Sequence, residues 1–164
     1  MDDNTVTGLF HIGLCVADLD RSIDFYTNVA GMTLVESHVS RSDKFDALSN
    51  NKDSQLAVAY LALGGFRLQL VQYLRAGGVT LDVHHNNVGS PHISLFVDDV
   101  DSEMDRVRSL DVRVTSDIVV LSETMRSFYV EDPDGVPVEF LQLTGRLPAG
   151  VDPRGADRGA TSPH

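Results

Sequence analysis

The stretch His11-Ile12-Gly13-Leu14-Cys15-Val16-Ala17-Asp18-Leu19-Asp20 returns later in the chain as His92-Ile93-Ser94-Leu95-Phe96-Val97-Asp98-Asp99-Val100-Asp101. Six of the ten positions are identical, and the register holds without a gap. An internal repeat of this kind means one supersecondary unit used twice, so it decides the fold before any single element is read. In each copy Ile, Leu and Val alternate with other residues, the period of a strand with one apolar face. An aspartate then caps a helix, Asp18 or Asp20 in the first copy and Asp99 or Asp101 in the second.

Working outward, the first helix carries Leu19, Ile23, Phe25, Tyr26 and Val29 and stops at Gly31. The second carries Val100, Met104, Val107 and Leu110. Short strands are expected after them at residues 32–35 and 112–114. Apolar runs at 57–63 and 66–73 flank Gly64-Gly65, a hairpin signal. Runs at 127–131 and 136–143 flank Asp132-Pro133-Asp134-Gly135, a strong turn sequence. The pattern predicts an α+β fold of two paired βαβββ modules in one domain. Residues 1–74 form the first module, 75–90 a linker, 91–144 the second, and 145–164 a disordered tail. Residues 38–54 are polar and are expected to be a mobile loop.

Bulk properties narrow the function. A chain of 164 residues with 42% hydrophobic content builds a real core. No apolar run reaches the roughly 20 residues that span a bilayer. The start, Met1-Asp2-Asp3-Asn4, is unlike a secretory signal, and the single cysteine, Cys15, fits a reducing compartment. The cytoplasm is therefore expected. A net charge of -11, from 24 acidic and 13 basic residues, repels nucleic acid and anionic lipid, so neither is an expected partner.

Four polar residues occupy positions a core would not choose. His11 and His92 open the first strand of each module on the face opposite the aliphatic residues. A lone strand histidine is usually structural; two at equivalent repeat positions are a different matter. Overlaying Phe66-Arg67-Leu68-Gln69-Leu70-Val71-Gln72-Tyr73 on Val136-Pro137-Val138-Glu139-Phe140-Leu141-Gln142-Leu143 sets Gln69 against Glu139 and Gln72 against Gln142. Glu139 lies between Val138 and Phe140, where a carboxylate needs a partner or a metal. If the modules pair by pseudo-twofold symmetry, His11, Gln69, His92 and Glu139 meet at one centre. Two imidazoles, a carboxylate and an amide oxygen would leave two octahedral positions open. This donor set suits one divalent ion, Fe(II), Co(II), Ni(II), Mn(II) or Zn(II), without selecting among them.

The opening His-Ile-Gly-Leu with its Val-x-Asp-Leu-Asp, the repeated Pro-His-Ile-Ser-Leu-Phe-Val-Asp-Asp-Val, and the late Asp-Pro-Asp-Gly-x-x-x-Glu resemble the vicinal-oxygen-chelate superfamily over residues 9–143. That group includes glyoxalase I, methylmalonyl-CoA epimerase, extradiol dioxygenases and bleomycin- or fosfomycin-resistance proteins. The resemblance implies paired modules forming a U-shaped cleft around a metal held by His11, Gln69, His92 and Glu139. It also implies a small-molecule substrate that chelates through neighbouring oxygens, and a homodimer. The His, Gln, His, Glu order is similar to the epimerase, whose catalytic glutamate would fall at Val58 or Ala59 here, where no acid stands.

Three activities are consistent with that resemblance. The first is a metal-dependent isomerase or lyase of the glyoxalase/epimerase type, in which Glu139, the one acid placed at the site, serves as catalytic base. The second is an Fe(II) extradiol-type dioxygenase using His11, His92 and Glu139 as a facial triad, with Tyr60, Tyr129, His38, His84 or His85 supplying acid–base chemistry. The third is a metal-free binding protein. His84-His85 reads first as a solvated loop pair and Cys15 as a small buried apolar residue. Arg67, Arg126 and Lys44 read as surface cations.

Overall fold

The computed structural model describes residues 5–145. The first half runs β1 (Ile12–Cys15), α1 (Leu19–Asn28), β2 (Thr33–Ser40), α2 (Asp43–Ser49), β3 (Gln55–Leu63) and β4 (Phe66–Arg75). The second runs β5 (Ile93–Phe96), α3 (Val100–Arg108), β6 (Val119–Ser122), β7 (Met125–Glu131) and β8 (Pro137–Leu143). Each half makes its own four-stranded sheet, ordered β1-β4-β3-β2 and β5-β8-β7-β6. In both, the first strand lies parallel to the last, and the remaining neighbours are antiparallel. The two βαβββ modules expected from the repeat are therefore present. Most of the expected tail lies outside the described residues.

The caps resolve the alternatives left by the sequence. Asp18 accepts from the Arg21 amide at 3.0 Å and Asp99 from the Ser102 amide at 2.9 Å, so the first aspartate of each pair is the N-cap. From these caps α1 presents Leu19, Phe25 and Tyr26 to its sheet, and α3 presents Val100, Met104 and Val107. Leu14, Leu68 and Leu70 meet them in the first module, and Leu95, Val138 and Phe140 in the second. All belong to one apolar core that spans both modules. Burying a large side chain in it contributes about 1.5–3 kcal/mol.

Two expectations need correction. Residues 38–54 are not a mobile loop: β2 continues to Ser40, and α2 follows. The short helix is held by Ser42, which accepts from the Lys44 amide, and ends at Asn50 in the left-handed conformation with φ 55°. Asp46 then closes the segment by accepting from the Ser54 amide at 3.1 Å. The expected strand at 112–114 is also absent; only Val114 bridges Val130 there, and the edge strand β6 forms later. Between them Ser116 accepts from the Tyr129 amide at 2.9 Å, standing in for a ladder partner where the edge breaks. Among the described residues no helix is long and apolar enough to cross a membrane.

No helix or strand of one module has a Cα within 8 Å of a helix or strand of the other. Side chains and loops make the junction. The Tyr26 hydroxyl donates to Asp132 Oδ2 at 2.8 Å, and Arg106 donates to the Asn28 and Val29 carbonyls at 3.0 and 2.7 Å. The Ala17 amide donates to Asp134 at 3.1 Å.

Candidate functional site

The alternation that buries Leu68 and Leu70 on the helix side of β4 turns Gln69 to the opposite face of the first sheet. Glu139, between buried Val138 and Phe140 on β8, is turned to the same face of the second. Gly13 registers with Gln69, and Ser94 with Glu139. The histidines just before these strands share the faces of Gly13 and Ser94. His11 and Gln69 thus stand diagonally on one sheet, and His92 and Glu139 stand in the same relation on the other. These faces lie opposite α1 and α3, which pack on the other side of each sheet.

On the first sheet the ring of His11 meets Tyr60 edge-on at 5.6 Å and Phe10 at 5.0 Å. His11 Nδ1 is buried and has no hydrogen-bond partner among the described residues. Tyr60 registers directly with Gln69, and its hydroxyl accepts from Gln69 Nε2 at 2.6 Å. The other end of that amide, Oε1, lies over Gly13, where a Cβ would touch it at 3.4 Å.

On the second sheet the Ser127 hydroxyl, 3% exposed, donates to Glu139 Oε1 at 2.6 Å. Tyr129 registers with Glu139 as Tyr60 does with Gln69. Burial, reinforced by the Glu139 charge, pushes the Tyr129 phenol above its ordinary value. His85, exposed in the linker as expected of a loop residue, also brings its ring to His92 at 5.1 Å and to Tyr129 at 5.2 Å. Its neighbour His84 bonds Asn86 instead, at 2.6 Å.

The remaining candidates are engaged elsewhere. Arg126 forks onto Asp101 at 2.7 and 3.0 Å, holding that carboxyl below the usual range, and His38 contacts Glu36 at 3.1 Å on β2. Arg67 sits over the exposed Phe10 ring at 5.7 Å, and Cys15 is exposed, not the buried apolar residue expected, because its side chain takes the sheet face opposite Leu14 and Val16. Lys44 lies in the first turn of α2, with its backbone amide on the Ser42 cap.

Among the described residues no three His, Cys, Asp or Glu side chains converge into a group able to hold a metal ion. Of the four expected ligands, His11 and Gln69 form a half-site on the first sheet, and His92 and Glu139 form one on the second. Each half-site nevertheless suits a divalent ion. The first offers an imidazole with a buried orphan nitrogen and an amide whose nitrogen end is already bonded. The second offers an imidazole and a carboxylate anchored by one oxygen, whose Oε2 accepts no hydrogen bond among the described residues. Together they are a nitrogen and oxygen set without thiolate, which such ions accept.

The sequence reading missed Ser127 and the specific place of Tyr60. The glycine hairpin carried the signal for Tyr60, since pairing Leu63 with Phe66 across it puts Tyr60 opposite Gln69. Ser127 had no such signal.

Comparison with known proteins shows a match over residues 8–140 to the model of the family described as Glyoxalase/Bleomycin resistance protein/Dioxygenase superfamily. A lactoylglutathione lyase of Salmonella typhimurium is 34% identical over 82% of this chain and 91% of its own. A probable lactoylglutathione lyase of Vibrio cholerae is 30% identical over 82% and 89%. In fold, the chain is similar to a glyoxalase family protein of Bacillus cereus, with TM-score 0.78, 17% identity, and 88% and 99% of the two chains covered. It is also similar to a genomically encoded fosfomycin resistance protein of Listeria monocytogenes solved with Mn(II) and sulfate, with TM-score 0.57, 22% identity, and 85% and 95% covered.

Proposed function

The chain belongs to the glyoxalase/bleomycin resistance protein/dioxygenase superfamily, and from that premise we propose a divalent-metal-dependent lyase or isomerase that moves a proton beside a carbonyl of a small oxygen-chelating substrate. The observation that carries the reading is the placement of His11 with Gln69 and His92 with Glu139 at equivalent positions on the two open sheet faces. The lactoylglutathione lyases favour a glutathione thiohemiacetal, rearranged to a 2-hydroxyacyl thioester, as the substrate class. Methylmalonyl-CoA epimerase is a weaker fit despite the ligand order, because β3 carries no carboxylate and Tyr60 faces Gln69 instead.

His11, Gln69, His92 and Glu139 would hold the ion, which when bound supplies positive charge to the substrate oxygens as the neighbouring proton leaves. Glu139 is the proposed base: with Ser127 steadying Oε1, its Oε2, when not on the ion, would take the proton and return it to the neighbouring carbon. Tyr129 stands in register beside it, and the His85 ring lies against Tyr129 at 5.2 Å.

Because the half-sites lie on separate sheets, each centre is completed by a second copy of the chain, with sheet one of one copy facing sheet two of the other. The outer strands support this. β6 is exposed throughout, with Val119, Val120 and Leu121 49%, 67% and 55% exposed, and β2 exposes Leu34, Val35 and Val39. The acidic surface and single cysteine fit work in the cytoplasm.

The test is elemental analysis of protein purified without chelator, then turnover of the adduct of glutathione and methylglyoxal. Stoichiometric Ni, Co, Mn or Zn with turnover is expected. Tightly held iron with substrate-dependent oxygen uptake would replace this reading with a dioxygenase, and protein that takes up no metal with a binding protein. Mixing His11→Ala with Glu139→Ala chains tests the shared site. Each variant alone is inactive, and random reassortment restores about one quarter of wild-type activity, because half the dimers then carry one intact centre. No recovery despite exchange of chains would place the whole site within one chain.

A further inference from the structure

A carboxylate presents oxygen whichever way it turns, but an amide does not. If Gln69 is a ligand it must offer Oε1, because its Nε2 carries two hydrogens and has no lone pair free for a cation. A freely rotating glutamine would spend much of its time with the wrong end forward. β4 lies between β1 and β3, so the two ends of the Gln69 amide meet different strands. On the β3 side Tyr60, in direct register, takes Nε2 at 2.6 Å. On the β1 side, the strand that His11 precedes, Oε1 lies over a glycine, 3.4 Å from where a Cβ would stand. Any other residue at Gly13 would put a side chain against that oxygen.

Resting on the metal-site reading above, we infer that Tyr60 is the positioning residue that makes Gln69 a competent ligand, by engaging the amide nitrogen and so turning Oε1 toward the ion. The same ring lies against His11 at 5.6 Å, so one side chain disciplines both donors of the first half-site. The second half-site solves its version of the problem with a different group. Ser127 bonds one carboxylate oxygen of Glu139, and since either oxygen can ligate, that contact selects no end. An orienting hydroxyl is therefore needed only on the sheet that carries an amide.

This logic predicts a specific non-additivity. Tyr60→Phe keeps the ring against His11 and removes only the hydroxyl. Affinity for Mn(II), Co(II) or Ni(II), measured by competition with a chromophoric chelator on the metal-free dimer, is expected to fall by about tenfold, the cost of one lost hydrogen bond and a disordered amide. In a Gln69→Glu background the same Tyr60→Phe change is expected to alter affinity less than about twofold, because a carboxylate has no wrong end. Thermal unfolding of the four metal-free proteins reports whether each is folded, and the Gln69→Glu pair gives the answer even if the single Tyr60→Phe variant is unstable.

Equal losses from Tyr60→Phe in both backgrounds would mean a merely structural tyrosine and would overturn the inference. So would no loss in the Gln69 background. Failure of the underlying reading looks different: wild-type protein would bind no metal, or Gln69→Ala would bind as tightly as wild type.

Discussion

Replacing Tyr26 by Phe removes one oxygen atom from the junction between the modules, and the structure sets the cost. Tyr26 is 0% exposed and Asp132 5%, so the bond between them is neither screened nor replaced by water. Asp132 Oδ1 keeps its two backbone donors, Asp134 at 2.9 Å and Val136 at 2.7 Å. Only Oδ2 loses its partner, the Tyr26 hydroxyl at 2.8 Å. The ring stays, so no cavity opens. A hydrogen bond to a charged group contributes about 1.5–3 kcal/mol, and a buried oxygen left without a donor adds to the upper end of that range. We expect a loss of roughly 2–3 kcal/mol and a fall in Tm of roughly 5–10 °C for a domain of this size.

The pH dependence follows from the same bond. Burial, the largest influence, holds the Asp132 carboxyl above its ordinary value, while the Tyr26 hydrogen bond pulls it back down. Removing the hydroxyl raises the folded-state value further, so the bond stabilises chiefly the ionised form. The penalty is therefore largest at neutral pH and shrinks as pH falls through the Asp132 value. Urea unfolding of wild type and Tyr26→Phe at neutral pH and near pH 5, with unchanged m, measures both. A neutral-pH penalty below about 0.5 kcal/mol, or one that grows in acid, would refute this account of the junction.

Two further outcomes follow from the same groups. Asp132→Asn keeps the side-chain oxygen for the Val136 amide but cannot ionise. Because the Asp132 value is raised in the fold, wild type gains on the Asn variant as pH drops from neutral through that value, with the gain complete below the unfolded-state value of about 3.9; parallel stability–pH profiles would contradict this. Glu139→Ala should abolish turnover and weaken metal retention while leaving Tm near wild type, since Glu139 faces away from the core; full activity would remove it from the site.

Much of the architecture was legible because the repeat is written in residues whose physics is local. Strand alternation at Ile12 to Val16 and Ile93 to Val97, capping aspartates, and two turn sequences each carry their own signal. The same alternation predicted the faces of Gln69 and Glu139. What failed depended on contacts distant in sequence. The edge strand of the second module breaks at Ser116 and resumes at Val119, a choice made by the shape of β7 and not by the residues at 112–114. His85 lies in a polar linker and is exposed as composition indicated, but its ring contacts with His92 and Tyr129 depend on the linker's path and had no local signal. Residues 38–54 hid a helix because α2 buries nothing, although Ser42 and Asn50 marked both ends.

Whether the four expected ligands meet depends on how the two sheet faces are brought together. Period-two alternation tells which face of a sheet a side chain takes; it does not tell which sheet that face meets. Three pairings of open faces are available to two copies of this chain. Sheet one against sheet one would gather His11 and Gln69 twice, four neutral donors with no charge to offset a divalent ion. Sheet two against sheet two would gather His92 and Glu139 twice, crowding two carboxylates at one centre. Only sheet one against sheet two gives every centre two imidazoles, one amide and one carboxylate, and a twofold axis generates that contact twice, so both centres are alike. In the proposed dimer, pairing of unlike sheets would distribute the acidic ligands evenly between the two centres. Under the proposed function, repeating a module within one chain would build two complementary halves of a site, and association between copies would join them.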